Sequence, residues 1–252
     1  MNSNPSSGPA LVGWVVDAQN DFMLPPERGG RLYVHDLFDG GKDPGATQIL
    51  PALVRAVDWM HAHCAVVVYT GDWHAYGDEE IDPVAPDAAK GTYPPHCMGL
   101  SEDPEERRGA EVIDEIRPAN PVVLARDASE WEASEVARTA LRERRPIFIH
   151  KSRFSVFEGN PATDALLDTL RDQLGALEFV VAGVARDVCV KGAVEGFLDP
   201  ARLQPVTLVT DATWGLGLES EAESLARWMG DGAALVTTRG LALRGPAASP
   251  TV

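Results

Sequence analysis

The sequence is poor in cysteine and in basic residues. Its 252 residues include three cysteines, Cys64, Cys97 and Cys189, an odd and widely spaced set that disfavours a disulfide framework and favours a reducing compartment. The 22 Lys and Arg residues face 38 Asp and Glu residues, which gives a formal net charge of −16. Because no basic cluster stands out, we expect no nucleic-acid partner, whereas a cationic or neutral small molecule suits this charge.

Long apolar runs are absent as well. No segment approaches the length that a membrane span requires, and the first eight residues have no apolar signal core. We therefore expect a cytoplasmic protein without a membrane partner. Residues 1–9 and 245–252, which are rich in Ser, Pro, Gly and Ala, are predicted to be flexible tails around a single domain at 10–244. The sequence leaves the choice between a monomer and a homo-oligomer open.

Short runs of buried-strand type alternate with segments of helical periodicity. The strands are predicted at 11–16, 65–69, 121–125, 146–149, 178–182, 205–209 and 233–236. The helices are predicted at 47–63, 110–116, 130–143, 163–174 and 219–229, with a further helix that follows Gly183. A short extended piece is expected near 31–34. This alternation predicts an α/β fold, one three-layer α/β/α domain built on a parallel sheet.

Three chemically competent side chains follow predicted strands. Cys189 lies where a strand gives way to a helix, and free N–H groups in a first helical turn favour an ionised thiol. Asp17 and Lys151 also follow buried-type strands, and such strand ends share one edge of a parallel sheet. A cation and a proton-carrying carboxylate beside a thiol make a nucleophile. The alternatives are a structural cysteine, a turn-capping aspartate and a solvated lysine.

Five segments resemble a known enzyme superfamily, the isochorismatase-like cysteine hydrolases. Its three signatures are similar to Asp17-Ala-Gln-Asn-Asp-Phe22, Lys151-Ser-Arg-Phe-Ser-Val-Phe157 and Gly183-Val-Ala-Arg-Asp-Val-Cys189. With Gly71-Asp-Trp-His74 and Tyr93-Pro-Pro-His-Cys97 added, the chain resembles the nicotinamidases of that superfamily. The resemblance implies a six-stranded, mainly parallel sheet and an Asp17–Lys151–Cys189 catalytic triad. It also implies a cis peptide between Val184 and Ala185, with the amides of Ala185 and Cys189 as an oxyanion hole.

A metal cluster separates nicotinamidases from their metal-free relatives. Asp72 and His74 stand two apart after a strand, so in extended backbone both side chains point to one side, although turn capping is the alternative. The resemblance adds His96, otherwise a packing histidine, and places a fourth ligand at Glu80. Two neighbouring carboxylates compete for that fourth place, and these are Asp78 and Glu79. The donor set suits one divalent ion, zinc first, with iron or manganese as alternatives.

The substrate pocket is expected to be aromatic. Phe22 and Tyr93 resemble the pair that sandwiches the pyridine ring in this family, although many nicotinamidases have Trp in place of Tyr93. The segments 35–46 and 118–145 look longer than the usual connections of the family. The rim of the pocket is therefore expected to be rebuilt, which bears on the choice of substrate.

The resemblance implies that the chain hydrolyses nicotinamide to nicotinate and ammonia through a thioester on Cys189. In that reaction the metal binds the ring nitrogen, Asp17 carries the proton and Lys151 stabilises negative charge. One alternative is a metal-independent hydrolase of another small amide or carbamoyl compound on the same scaffold. A second alternative is a non-catalytic binding protein that keeps the fold. The metal content distinguishes the first alternative, and turnover distinguishes the second.

Overall fold

The computed structural model describes residues 8–87 and 90–244. The predicted tails at 1–9 and 245–252 lie almost entirely outside these ranges, and Gly8 and Pro9 are exposed. Within the described residues, no helix combines the length and the apolarity that a membrane crossing requires.

A seven-stranded parallel sheet forms the centre of the molecule. Its strand order is β3-β4-β2-β1-β5-β6-β7, and every neighbouring pair runs parallel. The strands are β1 (Ala10–Val16), β2 (Val66–Asp72), β3 (Val122–Leu124), β4 (Ile147–Lys151), β5 (Leu177–Val184), β6 (Val206–Trp214) and β7 (Ala234–Val236). The central strands are near-continuous apolar runs because both faces of the sheet are covered.

The six strands implied by the family resemblance are one too few. The segment 121–125 does form an edge strand, since the amide of Val122 donates to the carbonyl of Pro146 at 2.8 Å and the ladder continues along β4. The β3 strand is only three residues long, and its partner lies more than twenty residues away in the sequence. The parallel α/β architecture itself is confirmed.

Helices cover both faces of this sheet. They are α1 (Asn20–Met23), α2 (Leu50–His63), α3 (Pro104–Ala110), α4 (Glu130–Glu143), α5 (Val156–Gly159), α6 (Thr163–Leu174), α7 (Cys189–Leu198), α8 (Glu221–Gly230) and α9 (Thr238–Leu243). Helices α2 and α9 contribute to the apolar cluster on one face, and α4, α6, α7 and α8 contribute to the cluster on the other. The three-layer prediction is therefore confirmed.

One local prediction is wrong. The helix expected at 110–116 lies earlier, as α3, and ends at Ala110. Asp103 caps its start by accepting a bond from the amide of Glu105 at 2.9 Å. A separate single turn of 3₁₀-helix follows at Asp114–Ile116. The piece expected near 31–34 lies in a loop and joins no strand, and the amides of Leu32 and Val34 donate to the carbonyls of Asp21 and Phe22.

Candidate active site

The carboxyl ends of four neighbouring strands converge at one edge of the sheet. Asp17 directly follows β1, Asp72 is the last residue of β2, and Lys151 is the last residue of β4. Asp72 and Lys151 are partners in the ladder between β2 and β4. Cys189 is the first residue of α7, which begins shortly after β5 ends. The strand-end argument from the sequence thus holds for all of these side chains.

Lys151 lies at the centre of this group and is 1% exposed. Its Nζ is 2.9 Å from Asp17 Oδ2, forms a second ion pair with Asp72, and lies 3.9 Å from Cys189 Sγ. Burial on its own lowers the pKa of the ammonium, but the charges of Asp17 and Asp72 raise that pKa well above its ordinary value. A buried, charged lysine between two carboxylates excludes the alternative of a solvated surface residue.

The Cys189 thiol is buried, and its pKa lies well above the ordinary value. Burial is the largest cause, and the charges of Asp17 and Asp72 add to it, while Lys151 opposes them. The sequence predicted that the helix start and Lys151 keep this thiol ionised. That prediction does not hold, because the single ammonium of Lys151 is shared with the carboxylates of Asp17 and Asp72. The thiol therefore needs a base at the moment of attack.

Asp17 has the properties of that base. It is fully buried and takes a left-handed backbone conformation, with a φ of 46°. Thr70 Oγ1 donates to its Oδ1 at 2.6 Å. Its Oδ2 is at ion-pair distance from Lys151, but in the described part of the chain it has no partner with hydrogen-bond alignment. Burial raises the pKa of Asp17, and Lys151 only partly offsets this, so Oδ2 is suited to take up and return a proton.

The loop between β5 and α7 shapes the backbone around Cys189. The peptide between Val184 and Ala185 is cis, as the family resemblance implies. The carbonyl of Ala185 accepts bonds from the amides of Val188 at 3.1 Å and Val190 at 3.0 Å, which wraps the loop around the helix start. The amide of Cys189 lies in the first turn of α7, where backbone N–H groups have no intrahelical acceptor.

A second group of buried donors adjoins the first. One donor atom each from Asp72, His74 and His96 lies within 4.8 Å of the others. His74 Nε2 is 3.9 Å from Asp72 Oδ2 and 3.9 Å from Glu80 Oε2. Both His74 Nε2 and Glu80 Oε2 are buried and have no hydrogen-bond partner among the described residues. Buried polar atoms without a partner are costly, so this donor set fits a divalent cation.

Hydrogen bonds at the far side of each imidazole point the remaining nitrogen inward. His96 Nδ1 is 2.8 Å from the carbonyl of Pro94, and His74 Nδ1 is 3.2 Å from Asp78 Oδ2. Since both partners only accept, each Nδ1 carries a proton and each Nε2 faces the donor cluster. Burial lowers the pKa of His96 to about 4, which keeps that ring neutral.

The three acidic candidates for the fourth ligand separate clearly. Asp78 is behind His74, and Glu79 is exposed and paired with Arg153. Glu80 alone points an unpartnered oxygen toward His74, while its other oxygen accepts the amide of Phe154 at 3.1 Å. Burial, followed by the charge of Asp72, raises the pKa of Glu80 to about 8. Among these three carboxylates, Glu80 is the one with an unpartnered oxygen that faces the donor cluster.

A small cavity opens over Cys189 and the donor cluster. Its walls are mostly aromatic and aliphatic, and Tyr93 packs edge-on against Phe154 with ring centroids 5.8 Å apart. The lining residues are Phe22, Leu32, Val34, Asp72, Tyr93, His96, Phe154, Ala185, Val188, Cys189 and Leu216. The aromatic pair named from the sequence does line this cavity. Among the described residues, no lysine or arginine lines it.

The sequence matches the family model of the isochorismatase domain over residues 9–240. The chain belongs to the isochorismatase family. This membership confirms the superfamily inferred from the motifs and makes the chain an isochorismatase-like hydrolase. No curated protein sequence shows a significant match to it.

Solved structures share this isochorismatase-like fold at low sequence identity. A pyrazinamidase of Pyrococcus horikoshii in complex with zinc is 23% identical, with a TM-score of 0.59, over 91% of this chain and 99% of that one. PnC1 from L. infantum in complex with nicotinate is 21% identical, with a TM-score of 0.60, over 95% and 98%. An N-carbamoylsarcosine amidase from Thermoplasma acidophilum is 20% identical, with a TM-score of 0.57, over 91% and 96%. These likenesses establish the fold.

Several residues of the site were not singled out from the sequence. Gln19 clamps the peptide of Asp72, since its Nε2 donates to the Asp72 carbonyl and its Oε1 accepts the Asp72 amide, both at 2.8 Å. Thr70 orients Asp17 from within an apolar strand. Phe154 lies inside the signature that begins at Lys151. An aromatic residue in that motif was the signal that could have identified it as a pocket residue. Leu32, Val34 and Leu216 reach the cavity from loops, which periodicity does not describe.

Proposed function

We propose that this chain is a metal-dependent amidase that hydrolyses nicotinamide to nicotinate and ammonia. The observation that carries the proposal is a pair of unpartnered buried atoms, His74 Nε2 and Glu80 Oε2. They belong to the donor cluster whose Asp72 and His96 line the same cavity as Cys189. A metal-independent hydrolase would have no use for two such atoms. The reaction would place the chain in the salvage of pyridine nucleotides in the cytoplasm.

The cavity favours a neutral aromatic amide over an anionic carbamoyl compound. Its walls offer flat ring faces from Phe22 and Tyr93, and the lining has no cation for a substrate carboxylate among the described residues. Lys151 is already engaged by Asp17 and Asp72. The zinc and nicotinate complexes of the two structural neighbours support a pyridine substrate in this fold, whereas the carbamoylsarcosine amidase represents the rival class.

One divalent ion would be held by Asp72, His74, His96 and Glu80, and zinc suits this mixture of imidazole and carboxylate donors. The chemistry that such an ion supplies is a Lewis acid for the pyridine nitrogen of the substrate. With the ring so placed, Phe22 and Tyr93 confine it between apolar surfaces.

The first half of the reaction uses Cys189 and Asp17. The thiol gives its proton to Asp17 Oδ2 as the Sγ–C bond forms at the amide carbon, and the carbonyl oxygen takes the negative charge. The amides of Ala185 and Cys189 donate to that oxygen. Asp17 then passes the proton to the departing nitrogen, which leaves as ammonia when the C–N bond breaks, and a thioester remains on Cys189.

The second half regenerates the thiol. Asp17 removes a proton from a water molecule as its oxygen bonds to the thioester carbon, and the collapse of that adduct breaks the Sγ–C bond. The thiolate takes the proton back from Asp17, and the product leaves as nicotinic acid, which loses its proton to water to give nicotinate. Lys151 stays protonated throughout, because an ammonium has no lone pair with which to act as a base. Its charge stabilises the thiolate of Cys189 in both halves of the reaction.

The test is ammonia release from nicotinamide by the purified chain, with zinc, iron and manganese quantified in the same sample. Benzamide, which keeps the amide and lacks the ring nitrogen, is the matched control substrate. We expect turnover of nicotinamide, about one divalent ion per chain, and little turnover of benzamide. Equal turnover of both amides, or full activity in a metal-free sample, would falsify the proposal in favour of the metal-independent rival.

A further inference from the structure

Arg126 lies just beyond the edge strand β3 and reaches the loop that carries His74. Its Nη1 donates to the carbonyl of Trp73 at 3.1 Å and also to Asp78 Oδ2. Its Nη2 donates to Asp78 Oδ1 at 3.0 Å. The guanidinium thus holds both oxygens of one carboxylate, a geometry that fixes orientation as well as distance.

Asp78 connects this guanidinium to the metal cluster. Besides Arg126, it accepts from His74 Nδ1 at 3.2 Å and from the amide of Ala75 at 3.0 Å. The peptide bond of Trp73 and the ring of His74 are therefore both held by groups that contact one guanidinium. Rotation of the ring would break the bond from Nδ1 to a carboxylate that cannot follow it.

The backbone next to Arg126 is held in place by the side chain of Asn160. Asn160 Nδ2 donates to the carbonyl of Ala125 at 2.9 Å and to the carbonyl of His150 at 2.9 Å, and Asn160 is fully buried. The segment 118–145, which the sequence marks as longer than the usual connection, therefore delivers Arg126 to a defined place.

We infer that Arg126 is a positioning residue that sets the tautomer and the orientation of the metal ligand His74 through Asp78. The inference rests on the metal site of the proposed function. With Nδ1–H held by Asp78, Nε2 faces Asp72 and Glu80. Without Arg126, Asp78 keeps only the Ala75 amide and His74 as partners, so the carboxylate holds the ring less firmly in the tautomer that it selects.

A purely electrostatic role makes the opposite prediction. Arg126 is a positive charge near a cation site, so its removal should strengthen metal binding if charge alone mattered. Positioning predicts weaker binding in spite of the lost repulsion. The sign of the change therefore separates the two accounts.

The first experiment measures zinc affinity by competition with a chromophoric chelator. We expect Arg126→Gln to weaken binding by about 10- to 100-fold, the usual range for a partner of a metal ligand, and Arg126→Lys, which keeps one donor, to fall between. Arg138→Gln is the matched control, because Arg138 belongs to the same segment but pairs with Glu135 on α4 at the surface. Unchanged or tighter zinc binding by Arg126→Gln would overturn the inference.

The second experiment needs no metal and no substrate. Long-range ¹H–¹⁵N spectra of the metal-free protein report which ring nitrogen of each histidine carries the proton. We expect His74 to show a pure Nδ1–H pattern in the wild type and a mixed pattern in Arg126→Gln, while His96, held by Pro94, stays unchanged. An unaltered His74 pattern in a folded Arg126→Gln protein contradicts positioning, whatever the substrate of the enzyme is.

Discussion

At the scale of single residues, a buried ammonium joins the two halves of the site. Lys151 contacts Asp17, the proposed proton carrier, and Asp72, a proposed metal ligand, and it is nearly inaccessible to solvent. Two carboxylates placed beside one another without this charge would repel strongly in a dry environment. The lysine is therefore needed for the fold of the site as well as for its chemistry.

The replacement Lys151→Met tests this role. It leaves two buried carboxylates without their counterion, so we expect the free energy of unfolding at pH 7 to fall by about 3–5 kcal/mol. Urea titration followed by fluorescence measures it. The matched control is Lys191→Met, because Lys191 pairs with Glu219 at 3.5 Å on the surface, and exposed pairs contribute about 1 kcal/mol or less. Equal losses in both variants would contradict the buried-charge argument.

The replacement Asp17→Asn separates chemistry from binding. The amide keeps the shape of the side chain but cannot take up the thiol proton, so we expect the rate of ammonia release to fall by about 10²- to 10⁴-fold. Nicotinate binding, measured by calorimetry on the same variant, should stay close to that of the wild type. Near wild-type turnover in Asp17→Asn would remove the carboxylate from the mechanism.

His150 gives the molecule a pH dependence that is unrelated to catalysis. Its ring stacks on Trp73 with centroids 3.8 Å apart, and burial lowers its pKa from 6.5 to about 4. The unfolded chain therefore binds a proton between these pH values when the folded chain does not. Stability from this group is complete above pH 6.5 and falls as the pH drops toward 4.

The variant His150→Phe should reduce the dependence of the unfolding free energy on pH between pH 6.5 and pH 4. It keeps a flat ring against Trp73 but has no proton to bind. Between pH 6.5 and 4.5 we expect the wild type to lose about 2 kcal/mol more free energy of unfolding than the variant does. A comparison at pH 8, where both rings are neutral, isolates any difference in packing. Parallel curves for the two proteins would show that His150 titrates normally in the fold.

The sequence was sufficient for residues whose position follows from local pattern. Asp17, Lys151 and Cys189 meet because strand ends of a parallel sheet must meet. Asp72 and His74 follow from their spacing after a strand, whereas His96 and Glu80 came only from the family resemblance. Thr70 and Arg126 were not predictable in this way. Their partners are 53 and 48 residues away in the sequence, and the contacts depend on strand order and loop path, which no periodicity encodes.

At the scale of elements, β1 and β5 approach each other unusually closely at their carboxyl ends. Gly183 pairs with Val16, and its φ of 127° lies in a region that favours glycine. A Cβ built there would lie 2.0 Å from the carbonyl oxygen of Val16. A side chain at this position must therefore push the two strands apart, and those strands carry Asp17 and the loop to Cys189.

The replacement Gly183→Ala should reduce the free energy of unfolding by about 2–4 kcal/mol, the sum of backbone strain and overpacking. The rate of ammonia release should fall by more than the loss of folded protein explains, since the strand ends that position Asp17 and the loop to Cys189 separate. Gly232→Ala is the matched control, with a φ of 102° and no atom within 4 Å of the built Cβ. It carries only the backbone strain, so equal effects of the two substitutions would mean that strand contact is unimportant.

Among the elements, the sequence predicted the central strands and the helices α4 and α6 well. Capping and periodicity are strong there, as in the box formed by Ser129 and Glu132 at the start of α4. The edges were defined less sharply. A strand was predicted at 121–125, and β3 has only three residues there, too few to show alternation. The six-residue helix α9, which is held by a cap at Thr237, was not predicted.

At the scale of the whole molecule, the proposed metal site would join β2 to two loops at 74–80 and 93–97. Metal bound to the folded chain but not to the unfolded one raises stability by mass action. At a free zinc concentration 100-fold above Kd, this amounts to about 2.7 kcal/mol. For a chain of this size we expect removal of zinc by a chelator to lower Tm by about 5–10 °C.

Scanning calorimetry with zinc and with the chelator measures that shift. The variant His74→Ala, which lacks one donor of the cluster, should melt at similar temperatures in both conditions. A chelator effect of the same size in His74→Ala would place the stabilising ion at another site.

The strand order has a consequence for how the protein is made. β1 is paired on one side by β2, which ends at Asp72, but its other neighbour, β5, begins only at Leu177. About a hundred residues separate the two, and at roughly 5–20 residues per second a ribosome needs about 5–20 s to add them. Throughout that time the emerging chain exposes one open edge of its most apolar strand pair. Nascent chains arrested before Leu177 should therefore be clients of chaperones, and release from them should coincide with the appearance of β5.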